Sequence, residues 1–134
     1  MGGVRTESKM GQATEPKRVL LVEDDTLVAM LVEDMLDELG YAMHDNPATV
    51  AGALSAVEAG GFDLAILDVN LAGQPVFPVA DALDAAGIPF VFASGYGAGG
   101  VPAAWSGYPV AAKPFRIDDL NAALATACRA QQPH

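Results

Sequence analysis

Positive charge, cysteine and long apolar runs are all scarce in this chain. Its 134 residues include 7 lysines and arginines against 17 aspartates and glutamates, which gives a formal net charge of −10. Because nucleic acids are themselves polyanions, this imbalance argues against direct binding to DNA or RNA. The single cysteine, Cys128, excludes an internal disulfide and is typical of a protein from a reducing compartment.

The chain also lacks the segments that direct a protein to or through a membrane. No apolar stretch is long enough to span a bilayer, and the first residues lack the apolar core of a signal peptide. We therefore expect a cytoplasmic protein without a membrane partner. Hydrophobic residues make up 51% of the chain and charged residues 18%, a balance that predicts a globular domain with its own core.

One domain is expected over residues 18–130, because residues 1–17 show no hydrophobic periodicity and are predicted to form a mobile tail. Within the domain, short apolar runs typical of buried strands alternate with segments whose apolar residues repeat at helical spacing. The five predicted strands are residues 19–22, 41–44, 64–67, 90–93 and 110–112.

This alternation favours a parallel sheet with right-handed crossovers. Five strands in a domain of this size predict a flavodoxin-like, doubly wound α/β fold with strand order 2-1-3-4-5. The stretch 94–107 holds five glycines and one proline, so the fourth helix is expected to be short or irregular. Trp105 in that stretch is predicted to plug the edge of the core.

Apolar stripes and capping residues predict how the other helices begin and which face packs on the sheet. The first helix is expected over residues 26–39, with Leu31 on its inward stripe. The second follows an N-cap at Thr49 and places Leu54 inward. Pro75 suits the first position of the third helix.

Four of the predicted strands end in polar side chains. Glu23 and Asp24 follow the first strand, Asp68 the third, Ser94 the fourth and Lys113 the fifth. The carboxyl ends of parallel strands lie side by side, at the edge where ligands bind. Three carboxylates, one hydroxyl and one ammonium there predict a magnesium-assisted phosphoryl-transfer site, in which Asp68 is the nucleophile that forms an acyl phosphate.

Each of these residues has a simpler interpretation when it is taken alone. Asp68 would cap a turn, while Glu23 and Asp24 would complement the dipole of the following helix. Ser94 would be a turn former, and Lys113 a solvated surface charge. Their occurrence together, each at a strand end, favours the phosphoryl-transfer interpretation.

This set of residues resembles the five marks of the response-regulator receiver domains, and the resemblance runs from about Arg18 to Arg129. It implies that Asp68 accepts a phosphoryl group from a histidine kinase or a histidine phosphotransfer protein. It implies further that Ser94 and Lys113 contact that phosphoryl group. The implied magnesium ligands are the side chains of Glu23, Asp24 and Asp68 and the backbone carbonyl of Asn70.

Residues 89–97 resemble the receiver subgroup named for its FAT-GUY motif, with Ser94 in place of the usual threonine. The replacement keeps the hydroxyl group. Val110 stands three residues before Lys113, where ordinary receivers carry a switch aromatic. This departure argues against signalling by inward rotation of that aromatic, and Tyr96 is the alternative mobile aromatic.

We therefore interpret the chain as a stand-alone receiver, not an enzyme, that acts as a phosphorylation switch or phosphate sink with output through protein contacts. The output partner would be a kinase, a phosphotransfer protein or an anti-sigma-type regulator. One alternative is a receiver-like interaction module that is never phosphorylated. Another is a small phosphatase of the haloacid-dehalogenase type. That family carries a second aspartate two positions after its nucleophile, where this chain has Asn70, and the chain has no room for a cap domain.

Overall fold

The computed structural model describes residues 15–130, and its central feature is a five-stranded parallel sheet. The strands of this sheet are β1 (Arg18–Val22), β2 (Ala42–Asp45), β3 (Leu64–Asp68), β6 (Phe90–Ser94) and β7 (Val110–Ala112). Two short strands, β4 (Asn70–Leu71) and β5 (Gln74–Pro75), form a separate antiparallel hairpin. The tail prediction falls mostly on residues 1–14, which lie outside the described residues.

The strand order in the sheet is β2-β1-β3-β6-β7. With the hairpin strands left aside, this is the predicted order 2-1-3-4-5, so the flavodoxin-like fold class is confirmed. The four α-helices are α1 (Thr26–Leu39), α2 (Val50–Ala59), α3 (Phe77–Ala86) and α4 (Ile117–Ala130). Between β6 and β7 the chain forms two 3-10 helices, Gly97–Gly100 and Ala103–Trp105, which confirms the prediction of a short or irregular fourth helix.

Local signals explain where α1 begins and ends. The side chain of Asp25 is the N-cap and accepts hydrogen bonds from the N–H groups of Leu27 at 2.9 Å and Val28 at 3.3 Å. Gly40 ends the helix in the left-handed conformation, with a φ of 89° that favours glycine. Glu23 and Asp24, the candidate metal ligands before Asp25, are therefore not the N-cap of this helix.

The predicted inward positions of two leucines are wrong. Leu31 is 47% exposed and Leu54 is 37% exposed. The buried row of α1 is instead Ala29, Val32 and Leu36, because a helix that packs on one face of a sheet buries only one stripe of its surface. The apolar stripe in the sequence is wider than the face of α1 that contacts the sheet.

The prediction that Pro75 begins the third helix is also wrong. Pro75 belongs to β5, and α3 starts at Phe77 with Pro78 in its first turn. The Val76 N–H donates to the Val69 carbonyl at 3.1 Å, so the hairpin pairing continues up to the helix. The loop after β3 is therefore an ordered hairpin that returns the chain to the sheet.

Two apolar layers cover the two faces of the sheet. Helices α1 and α4 pack on one face, and helices α2 and α3 pack on the other. Trp105 packs into the second layer beside Phe90 and Phe92, with ring centroids 6.0 Å and 5.9 Å away, as predicted for a plug at the core edge. Within residues 15–130, no helix is both long enough and apolar enough to cross a bilayer.

Candidate functional site

Three carboxylates meet where β1 and β3 end. Glu23 follows β1 and Asp68 is the last residue of β3, two strands that pair in parallel with Val22 opposite Leu67. Glu23, Asp24 and Asp68 each offer one carboxylate oxygen, and these oxygens lie within 4.8 Å of one another. Hard oxygen donors at this spacing match the ligand preference of Mg²⁺.

The carboxylate of Glu23 is buried and held from two sides. Its Oε2 accepts the N–H of Asp25 at 3.0 Å, and its Oε1 lies 3.0 Å from the Lys113 Nζ. Burial raises the pKa of Glu23 above its ordinary value, and the nearby Asp68 charge adds to this, against the opposing effects of the Asp25 N–H and the Lys113 ammonium. The site therefore keeps a poorly hydrated carboxylate that gains from a cation beside it.

Lys113 joins the acids to the end of the sheet. Its Nζ lies 3.0 Å from Glu23 Oε1 and 3.2 Å from Asp68 Oδ2. Partial burial lowers the pKa of Lys113, but the hydrogen bonds and charges of the two carboxylates outweigh that effect, so the pKa is raised overall. The ammonium thus stays charged and contacts two of the three acids, whose combined negative charge it offsets only in part.

Ser94 lies at the carboxyl end of β6 and is nearly inaccessible, with 4% of its surface exposed. Its Oγ accepts a hydrogen bond from the Tyr96 N–H at 3.1 Å, and its carbonyl accepts one from the Lys113 N–H at 2.9 Å. Ala93, the residue before it, pairs with Asp68. The sheet therefore brings Ser94 to the same edge as the acids, while its hydroxyl contacts the backbone.

Asn70 is exposed at the start of β4, two residues after Asp68. Its N–H donates to Asp68 Oδ1 at 3.3 Å, which helps orient the carboxylate. The role of its carbonyl as a metal ligand stays a prediction, as do the individual roles of the other site residues.

Sequence reasoning missed one residue that shapes the site. The side-chain amide of Asn46 donates to the carbonyls of Leu21 at 2.8 Å and Glu23 at 3.1 Å. The Glu23 N–H in turn donates to the Pro47 carbonyl at 3.2 Å. An asparagine just after a strand and before a proline was the available signal, and its effect is to fix the backbone that carries Glu23.

Comparisons with solved structures agree on the class of protein. The solution structure of SdrG from Sphingomonas melonis Fr1 matches with a TM-score of 0.73 and 44% identity, over 89% of this chain and 98% of that one. The BeF3-activated conformation of SdrG from Pseudomonas melonis Fr1 matches with a TM-score of 0.71 and 49% identity, over 81% and 92% of the two chains. The receiver (REC) domain of the PhyR response regulator from Erythrobacter litoralis matches with a TM-score of 0.74 and 26% identity, over 89% and 95%.

A curated relative is more distant. Histidine kinase 5 of Arabidopsis thaliana is 31% identical over 81 residues, which are 60% of this chain. The match spans only 8% of the length of that kinase. No protein-family model matches this chain.

Proposed function

The chain belongs to the response-regulator receiver domains, and from that premise we propose that Asp68 accepts a phosphoryl group from a phosphohistidine. The donor would be a histidine kinase or a histidine phosphotransfer protein. The observation that supports this most is the contact of the Lys113 ammonium with both Glu23 and Asp68. It places a fixed positive charge beside the carboxylate that would attack phosphorus.

In the proposed step, a carboxylate oxygen of Asp68 attacks the phosphorus while the bond from phosphorus to the imidazole nitrogen breaks. The imidazole leaves with the electron pair of that bond, and Asp68 becomes an acyl phosphate. Water later attacks the phosphorus, which restores the carboxylate and releases inorganic phosphate. Asp68 is thus a phosphoacceptor in a signalling cycle, and the chain is not a turnover catalyst.

Two side chains would contact the transferred group. Lys113 keeps its proton, so its ammonium can move from the carboxylates to a phosphoryl oxygen. The Ser94 Oγ already accepts the Tyr96 N–H. The hydroxyl hydrogen therefore remains available to donate to a second phosphoryl oxygen.

We propose that Glu23, Asp24 and Asp68, with the Asn70 carbonyl, hold a magnesium ion. The three carboxylates fit this ion because their oxygens converge within 4.8 Å, and the single Lys113 ammonium leaves one of the three acids without a contact among the described ion pairs. A bound Mg²⁺ would supply positive charge that stabilises the negative phosphoryl oxygens.

We propose that output passes through contacts with another protein. The kinase relative and the PhyR neighbours support a kinase as donor and a regulator protein as partner. Phosphotransfer profiling of this chain against purified histidine kinases and phosphotransfer proteins would identify the donor.

The phosphoacceptor is tested with acetyl phosphate and Mg²⁺, followed by intact-mass measurement. We expect one added phosphoryl mass in the wild type and none in Asp68→Asn, since asparagine lacks the nucleophilic oxygen. Asp63→Asn is the matched control because Asp63 is an exposed acid outside the cluster. An unlabelled wild type would favour the interaction module, and continuing hydrolysis of p-nitrophenyl phosphate would favour the phosphatase.

A further inference from the structure

We propose that Gly100 is a positioning residue for the Ser94 hydroxyl. The absence of a side chain at position 100 lets the 3-10 helix Gly97–Gly100 close directly over that hydroxyl. The inference rests on the proposed function, because the orientation of Ser94 matters to signalling only if Asp68 carries a phosphoryl group.

The contact is unusually close. A Cβ placed on Gly100 would overlap the Ser94 Oγ, would lie 3.2 Å from the Ser94 Cβ and would lie 3.4 Å from the Tyr96 Cβ. Real Cβ atoms do not approach other atoms as closely as this one would approach the hydroxyl. Only hydrogen at position 100 is therefore compatible with the observed placement of both groups.

This close approach is found at Gly100 and not at the neighbouring glycines of the same segment. A Cβ placed on Gly95, Gly97 or Gly99 would meet nothing within 4 Å. The backbone φ of Gly100 lies outside the left-handed region, as does that of Gly99. The requirement for glycine at position 100 is therefore one of space, and the requirement at position 99 is absent.

The path of the chain explains why Gly100 arrives at this point. The Tyr96 N–H donates to the Ser94 Oγ at 3.1 Å, and the Gly99 N–H donates to the Tyr96 carbonyl at 3.2 Å. These two bonds turn the chain back on itself immediately after β6. Gly100 and the Tyr96 N–H therefore both lie against the Ser94 hydroxyl.

These two contacts restrict the orientation of the hydroxyl. Its oxygen is engaged by the Tyr96 N–H, so its hydrogen must point elsewhere. Ser94 is 4% exposed, so that direction is set by protein contacts more than by water. A methyl group at position 100 must move either the serine rotamer or the turn, and both movements take the hydroxyl from its present place.

The test uses Gly100→Ala with Gly99→Ala as the matched control, since both add one methyl group to the same turn. Binding of beryllofluoride at saturating Mg²⁺ is followed by ¹⁹F NMR. We expect Gly99→Ala to bind within about twofold of the wild type. We expect Gly100→Ala and Ser94→Ala each to bind about tenfold more weakly, the loss expected for one hydrogen bond to a charged group, here a fluorine of the bound beryllofluoride.

The double variant Ser94→Ala/Gly100→Ala separates positioning from general damage. Ser94→Ala removes the oxygen that the added methyl group would overlap, so the double variant should bind no more weakly than Ser94→Ala alone. Gly100→Ala should keep the wild-type Mg²⁺ affinity, because the three atoms nearest a Cβ at position 100 belong to Ser94 and Tyr96 and not to the carboxylates of the cluster. Parallel loss of Mg²⁺ and beryllofluoride binding would contradict a positioning role.

The remaining outcomes distinguish this inference from the proposed function. A wild type that binds no beryllofluoride and accepts no phosphoryl group contradicts the proposed function. A wild type that binds it, with Gly100→Ala equal to Gly99→Ala or with additive losses in the double variant, overturns only the role of Gly100. If Gly100→Ala does not fold, restored folding in the double variant supports the contact, and its absence contradicts it.

Discussion

At the scale of single residues, Tyr108 shows how one hydroxyl attaches the segment between β6 and β7 to a helix. Its hydroxyl donates to Asp84 Oδ1 on α3 at 2.9 Å, and its ring stacks on Phe90 with centroids 4.9 Å apart. The hydrogen bond to the Asp84 carboxylate is the first cause that raises the pKa of Tyr108, followed by desolvation and the Asp84 charge. The hydroxyl is accessible to solvent, so its contribution to stability is modest.

Tyr108→Phe should lower the free energy of unfolding by about 1 kcal/mol at pH 7, since it removes one hydrogen bond and keeps the ring. A raised folded-state pKa means that this stabilisation is complete below the unfolded tyrosine pKa of about 10 and is lost as the pH rises through the folded value. Urea unfolding from pH 7 to 11 measures it. Tyr96→Phe is the control, because Tyr96 is 87% exposed, and a constant difference across this range would contradict the assignment.

At the scale of elements, residues 95–109 divide into two halves that differ in packing. Residues 95–100 are rich in glycine and expose Tyr96, whereas the half around Trp105 packs into the aromatic part of the core. Trp105 and Tyr108 lie with ring centroids 5.1 Å apart. The first half contains the residues that contact Ser94, so it is the half that phosphorylation would affect.

Amide hydrogen exchange should therefore be fast in residues 95–100 and slower in residues 104–109 without a phosphate mimic. Beryllofluoride and Mg²⁺ should slow exchange in the first half by about tenfold or more, because Ser94 then holds both the turn and the mimic, and should leave the second half unchanged. Asp68→Asn with the same additions is the control. Equal protection of both halves in both states would exclude this segment from the switch.

The elements also show which features a sequence can predict. A cap such as Thr49, whose Oγ1 accepts the Gly52 N–H at 3.0 Å, acts on residues within four positions, so its signal is local and the sequence predicts it. The contact of Asn46 with Leu21 joins the end of β2 to β1, and the approach of Gly100 to Ser94 depends on the path of the whole turn after β6. Because such contacts depend on the folded path of the chain, a short sequence pattern does not predict them.

The same limit applies to the site as a whole. Its five polar residues could be predicted because parallel strands must end at one edge, and the strand order then places them together. The outward position of Leu31 could not be predicted, because the rotation of a helix about its axis depends on the shape of the sheet below it. The hydrogen bonds of the Glu23 backbone likewise depend on the turn that follows β2.

At the scale of the whole molecule, a net charge of −10 makes the acidic cluster costly in the absence of a cation. Magnesium should therefore stabilise the fold, by about 1.4 kcal/mol when free Mg²⁺ is about ten times its dissociation constant. For a domain of this size that is a rise in Tm of about 5 °C. Thermal unfolding in Mg²⁺, compared with NaCl of equal ionic strength, separates specific binding from screening.

Asp24→Asn should lose most of this rise, because Asp24 belongs to the cluster. Asp25→Asn is the matched control: it makes the same change in charge one residue away, and asparagine still serves as an N-cap. Equal responses of the two variants to Mg²⁺ would show that the ion acts on overall charge and not at this site.

The hydrogen bond from the Lys113 N–H to the Ser94 carbonyl fixes the spacing of these two residues. Ser94 pairs with Ala112 as neighbouring strands of one sheet, so the spacing between the serine and the lysine is set by main-chain pairing at about 4.8 Å between strands. The backbone therefore fixes the distance between the two residues, and their side chains supply the groups that contact a ligand. A substitution of Ser94 or Lys113 changes which ligand is bound. The spacing between the two positions stays the same as long as β6 and β7 remain paired.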